Sequence, residues 1–136
     1  FNTYQKQVID NAKAMSERFI ANGVELVSGG TDNHLMLLKL ASKGRTGKEI
    51  EFLLDEAHIT VNKNSIPFDK EKPMVTSGIR IGTPSITTRG MKEKESEQIA
   101  DLITEIIDNG ESAVNSVTAK VATLCDSFPL YGKEML

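Results

Sequence analysis

Tyr4, Val8, Ala12, Met15 and Phe19 recur at intervals of four and three residues, a spacing that places apolar side chains on one face of a helix. Asn22-Gly23 should end it, because glycine accepts the left-handed conformation at a helix C-terminus. Val24 to Val27 then reads as a short strand and Ser28 to Asn33 as a turn cluster. Leu35 to Leu40 is nearly continuous apolar sequence, which predicts a strand buried on both faces. After the Lys43-Gly44-Arg45 connection, Thr46 is placed to cap a second helix, with Glu49 closing a capping box. Its buried face is expected to be Ile50, Leu53, Leu54 and Ala57.

Ile59-Thr60-Val61 predicts another short strand, and Asn62 to Thr76 a long polar segment broken by Pro67 and Pro73. Connections of that length within a compact domain are usually functional or mobile. Ile79-Arg80-Ile81 is strand-like and closes at Gly82-Thr83-Pro84. Ser85 to Gly90 suits a helical turn. Ile99, Leu102, Ile103 and Ile106 mark an amphipathic helix ending near Asn109-Gly110, and Val114, Val117, Val121 and Leu124 mark a last one, broken at Phe128-Pro129-Leu130-Tyr131. The order of helix, two strands, helix, two strands and two helices predicts an α+β fold: a small, mostly antiparallel sheet covered by helices.

A chain of 136 residues with 39% hydrophobic content is enough for one domain with its own core. Residues 1–136 show no internal repeat or linker that would divide them. A net charge of -3, from 16 basic against 19 acidic residues, leaves no electropositive face for nucleic acid. No run approaches the roughly 18 apolar residues of a membrane span. The opening Phe1-Asn2-Thr3-Tyr4 has no basic stretch followed by an apolar run, so no signal peptide is expected. The chain enters a helical pattern almost at once, as an excised domain would. The lone Cys125 cannot form an internal disulfide, which favours a reducing cytoplasm. Its apolar helical neighbours suggest a small buried hydrophobe.

Candidate chemistry centres on Arg80. Side chains alternate along a strand, so burial of Ile79 and Ile81 would turn Arg80 to the opposite face. A guanidinium matches a carboxylate with two parallel hydrogen bonds, and Gly78 and Gly82 would leave room for a ligand beside the backbone. The competing reading is a surface arginine paired with a nearby acid. Asn62-Lys63-Asn64-Ser65 offers amides that both donate and accept, although asparagines also serve simply as turn formers. His34 has no second ligand at metal spacing. His58 ends a helix, where a cation suits the dipole. Ser28-Gly29-Gly30 lacks phosphate-loop spacing. Lys92-Glu93-Lys94-Glu95 reads as the solvated start of a helix.

Four long stretches together resemble serine hydroxymethyltransferases of the bacterial type: Leu26 to Leu35, Ile59 to Pro67, Val75 to Pro84 followed by Thr87-Thr88-Arg89-Gly90, and Leu124 to Tyr131. The resemblance runs in order over essentially the whole chain. It implies the C-terminal small domain of a pyridoxal 5'-phosphate enzyme of the aspartate-aminotransferase fold type, which interconverts serine and glycine with tetrahydrofolate as the one-carbon carrier. It would make Arg80 the substrate-carboxylate arginine, Asn64 a pteridine contact, and Lys72-Pro73-Met74 part of the folate site. Many relatives carry Ser-Pro-Phe at that last triplet. The family's threonine-rich His-Lys motif, which holds the cofactor lysine, does not occur here, nor do the family's catalytic glutamate, ring-stacking histidine and phosphate-binding residues. The large cofactor-binding domain would therefore lie outside this chain, and the 136 residues alone would be inactive. Family members are expected to be homodimers or larger. The alternative is a free-standing amino-acid-binding or dimerisation module.

Overall fold

The computed structural model describes residues 2–27 and 34–129. The elements in order are α1 (Asn2–Ala21), β1 (Glu25–Leu26), β2 (Leu35–Lys39), α2 (Gly47–Glu56), β3 (Asn62–Asn64), β4 (Gly78–Gly82), α3 (Pro84–Thr88), α4 (Glu93–Asn109) and α5 (Val114–Ser127), with short 3-10 turns at Ala41–Lys43 and Gly110–Ala113. The strands among the described residues form one antiparallel sheet in the order β1-β2-β4-β3. Helices α1 and α2 pack on the sheet, α4 packs on both, and α5 packs on α4 and α2. The expected α+β fold with a small helix-covered antiparallel sheet is what forms.

The core is where periodicity put it. Ala12, Met15 and Phe19 of α1 meet Leu38 and Ile79 of the sheet, Ile50 and Leu54 of α2, and Ile103, Ile106 and Ile107 of α4, all essentially without solvent contact. Cys125 is fully buried among them, as a small hydrophobe should be. Gly23, at φ 84°, follows α1 in the left-handed region. At the far end of the sequence Phe128 caps α5, while Leu130 and Tyr131 lie outside the described residues, as does the Ser28 to Asn33 turn cluster.

Several boundaries differ from expectation. Tyr4 is largely exposed; its hydroxyl lies 3.3 Å from the Pro84 carbonyl and 3.0 Å from Thr88 Oγ1, so the aromatic ring ties α1 to α3 from outside the core. Strand β1 keeps only Glu25 and Leu26 of the four residues expected. Strand β2 alternates: Met36 and Leu38 are buried, Leu37 is half-buried and Leu35 is exposed. Helices cover one sheet face, so the apolar run does not make a strand buried on both. The third strand falls three residues later than predicted, at Asn62–Asn64, because pairing with β4 begins there; Ile59 and Val61 are buried without joining the ladder. At Thr46 the cap is real, with Oγ1 accepting from Glu49 N at 3.2 Å, but the Glu49 carboxylate accepts from Arg45 Nη1 rather than closing the box.

The connection from Ser65 to Ser77 is polar but ordered. Asp69 accepts four hydrogen bonds, from Ile66 N (3.1 Å) and Ser77 N (2.8 Å) at one oxygen and from Glu71 N and Ser77 Oγ (2.8 Å each) at the other. Withdrawal from water pushes its carboxyl up. The donors from Glu71, Ser77 and Ile66 outweigh that and hold it at about 2 against an ordinary 3.8. The end of the loop docks on α2: Gly47 N and Lys48 N donate to the carbonyls of Thr76 and Val75 at 3.0 and 2.9 Å, satisfying two of the first amides of the helix.

Two consequences are measurable. A Cβ on Gly47 would collide with Thr76 Oγ1 and the Gly78 carbonyl, whereas one on Gly44 meets open space and only the strain of φ 71°. Gly47→Ala should therefore cost about 3 kcal/mol in denaturant unfolding and Gly44→Ala about 1 kcal/mol; equal costs would contradict the docking geometry. Because the folded pKa of Asp69 lies below the unfolded one, its contribution to stability is full above about 3.8 and is lost as pH falls through about 2. A carboxyl titration by NMR should place its midpoint near 2, and Asp69→Asn should flatten the acid limb of the stability curve in that window.

Candidate functional site

Burial of Ile79 (0%) and Ile81 (6%) against the helices turns Arg80 outward, where it is exposed. Residues directly paired in an antiparallel ladder share a face. Leu37 and Asn62 pair with Arg80 from either side, and Asn64 and Lys39 pair with Gly78. The outer face therefore carries, in one row, Leu37, Arg80 and Asn62. Asn64 lies about 7 Å further along β3 at two strand residues' rise.

Of the four arginines, Arg18 binds Asp101 in a bidentate pair at 2.8 Å, Arg45 binds Glu49 and the Ile107 carbonyl, and Arg89 is buried with Nη1 on the Phe128 carbonyl. The Arg80 side chain makes no hydrogen bond or ion pair within the described residues, so no acid among them pairs it at the surface. It borders an open groove of about 670 Å³ shared with Leu35, Thr60, Asn62, Pro84 and Ser85. Among the described residues, the only ionisable group lining that groove is the guanidinium, and its charge favours an anion. The hydroxyls of Thr60 and Ser85 and the carboxamide of Asn62 provide further hydrogen-bonding groups.

The flanking glycines do a different job from the one expected of them. At Gly78 the space of a side chain is taken by Ile66 Cγ2 and by the Asn64 and Leu38 carbonyls; at Gly82 it is taken by Leu35 Cδ2 and the His34 carbonyl. They allow neighbouring strands and side chains to close over β4; Gly82, unlike Gly78, also lines the groove beside Arg80. The expected ligand room is the groove around Arg80 itself.

Asn64 is half-buried and donates through Nδ2 to the Ser65 carbonyl at 2.9 Å. Strand β3 is an edge, and its outward Lys63 amide is satisfied by Glu51 Oε2 at 2.8 Å while Lys63 Nζ lies 3.6 Å from the other oxygen. This contact pins the asparagine-bearing strand to α2. Lys72, Pro73 and Met74 are all exposed, Met74 at 74%, and they do not line the groove at Arg80. The structure thus brings Arg80 and Asn64 to one face and leaves the triplet at the tip of the ordered loop.

Sequence reasoning missed two positioning groups, Asp69 and Glu51. Asp69 had a local signal, an acid two residues after a proline and two before the amide it accepts, the pattern of an Asx turn. Its longer bonds to Ser77, and the Glu51 contact across to β3, are tertiary and left no trace in spacing. His34 is exposed and gives its carbonyl to Thr83 N; His58 sits just past α2 at φ 69° with its amide on the Asp55 carbonyl. Among the described residues no group of three His, Cys, Asp or Glu could hold a metal, and no helix is long and apolar enough to cross a membrane.

A family model described as serine hydroxymethyltransferase matches residues 1–103. A serine hydroxymethyltransferase of Polynucleobacter asymbioticus is 56% identical over 134 residues, covering 97% of this chain and 32% of the relative. One from Polynucleobacter necessarius subsp. necessarius is 56% identical over 133 residues, with 96% and 32% covered. The chain spans about a third of the length of these curated relatives. On the strength of that match over most of its length, the chain belongs to the serine hydroxymethyltransferase family.

Proposed function

We propose that residues 1–136 are the C-terminal small domain of a serine hydroxymethyltransferase, and that their task is to hold the amino-acid substrate and part of the folate while a large domain outside this chain holds pyridoxal 5'-phosphate. The observation that carries this is Arg80: an exposed guanidinium without a partner among the described residues, fixed on a central strand, in a chain of this family. The relatives contain the matched region as about a third of their length, which favours part of a larger enzyme over a free-standing module.

The cofactor would supply the electron sink for serine–glycine interconversion. The residues here do not fit it: the sequence lacks the threonine-rich His-Lys motif, and the Arg80 groove presents one guanidinium, hydroxyls and a carboxamide, a donor set for a carboxylate rather than a covalent anchor. The part assigned to this chain is binding and orientation. Arg80 grips the carboxylate of serine or glycine through two parallel N–H donors. Asn64, with a carboxamide oxygen left over from its bond to Ser65, offers a mixed edge to the pteridine of tetrahydrofolate. Lys72-Pro73-Met74 would add loop contacts to the folate. Exposed Phe52 is apolar surface that the rest of the subunit, or a second copy in a homodimer, would cover. The lone buried thiol suits a cytoplasmic enzyme.

In the full-length enzyme, Arg80→Ala should lower kcat/KM for serine by about a hundredfold, the scale of removing one partner from a buried charged pair; steady-state kinetics matching wild type would remove the assignment. Asn64→Ala should impair the tetrahydrofolate-dependent step and spare folate-independent aldol cleavage, and parallel losses in both assays would count against a folate role. The 136-residue chain by itself should show no serine cleavage and no pyridoxal absorbance band when mixed with the cofactor.

A further inference from the structure

We infer that Asp69 is the positioning residue for the folate side of this site: it sets the shape of the connection from Ser65 to Ser77 and thereby the presentation of Asn64 and Lys72-Pro73-Met74. The inference rests on the folate reading of those residues given above. Its basis is geometric. Both carboxylate oxygens are used, each twice, and the four donors come from the start, middle and end of the same connection. One side chain thus closes the loop on itself, drawing Ile66, two residues after Asn64, to Ser77, which leads into β4 and Arg80.

The rest of the connection shows what this closure must hold. Phe68, immediately before Asp69, lies at φ 58°, and Thr76, immediately before Ser77, at φ 59°. Left-handed backbone at an aromatic and a β-branched residue is strained, and such strain persists only where surrounding contacts over-determine it. Thr76 has those contacts in its Oγ1 bond to the Gly78 carbonyl (3.0 Å) and its own carbonyl bond to Gly47 N. Phe68 has none in its side chain, which is fully exposed, so the neighbouring Asp69 is what fixes the backbone there. The connection held in this way leaves Phe68 and Met74 exposed, as a wall prepared for a ligand with an apolar ring and polar edges. Preorganisation of this kind lowers the ordering cost of binding.

Asp69 touches neither proposed ligand, so its signature is selectivity. In the full-length holoenzyme, Asp69→Asn puts an amide donor against donors, and it should raise the KM for tetrahydrofolate about tenfold, since small misplacements of contact residues carry large penalties. The KM for serine and the rate of folate-independent aldol cleavage should stay within about twofold of wild type. A merely structural role would move both substrates together or neither, and either result overturns the inference; a lower Tm is expected in any case, since the carboxylate also stabilises the fold. If Asp69→Asn does not fold, Ser77→Ala removes a single donor from the same carboxylate and should give the same split in smaller measure; an unchanged folate KM there overturns the inference equally. Asn64→Ala run in parallel separates the two layers. If it raises the folate KM while Asp69→Asn does not, the positioning role alone falls; if neither does, the folate reading falls with it.

Discussion

Everything at the candidate site depends on the register of β4 between β2 and β3. With Ile79 and Ile81 facing the helices, Arg80 must face out, and the same register brings Leu37 and Asn62 beside it and Asn64 beside Gly78. A slip of one residue would drive a guanidinium into an apolar core and expose two isoleucines. Burying an unpaired charge costs several kcal/mol, and each isoleucine exposed forfeits roughly 2 kcal/mol or more of burial. The two terms act in the same direction, so the core that stabilises the domain also aims the candidate side chain. The central place of β4, hydrogen-bonded on both edges, makes this aim rigid.

Where side-chain periodicity decides an outcome, sequence was informative. The core face of α1 from Val8 onward, the burial of Ile99, Ile103 and Ile106, and the outward turn of Arg80 all follow from intervals of 3.6 or 2 residues. Sequence failed where a partner decides. Whether Leu35 and Leu37 are covered depends on a second layer that apolar composition cannot reveal. Whether Ile59-Thr60-Val61 or Asn62–Asn64 joins the sheet depends on where β4 offers free amides and carbonyls. The glycines around Arg80 could be identified as close-approach positions, but not which atoms approach; those atoms are Ile66, Leu35 and neighbouring carbonyls. Family resemblance supplied the one thing neither period could, an account of why an arginine with no partner among the described residues should stand there.

The long connection illustrates the same divide. Its prolines and lysines suggest a mobile loop, yet one carboxylate binds three separate parts of it and two carbonyls dock on the start of α2. Gly47 makes that docking possible, because a side chain there would occupy the space of Thr76 and the Gly78 carbonyl. A glycine at the first position of a helix looks from sequence like a poor choice for helix propensity. In the fold it is the point at which α2, the loop and β4 meet without a gap.

The proposed division of labour follows from these different kinds of support. A carboxylate clamp gains most from a rigid base, because two parallel hydrogen bonds tolerate little angular error, and Arg80 stands on the most constrained strand of the sheet. A folate has an extended, chemically mixed surface, and contacts to it can come from an edge strand and a loop, provided both are held. Glu51 holds the edge strand through the Lys63 amide, and Asp69 holds the loop. Each carboxylate stabilises backbone that carries the proposed contacts without making those contacts itself. The domain can therefore vary the residues at the loop tip, as in Lys72-Pro73-Met74, while keeping the frame that presents them. Variation at the tip would tune folate contacts, while the clamp on β4, held by the core, stays unchanged.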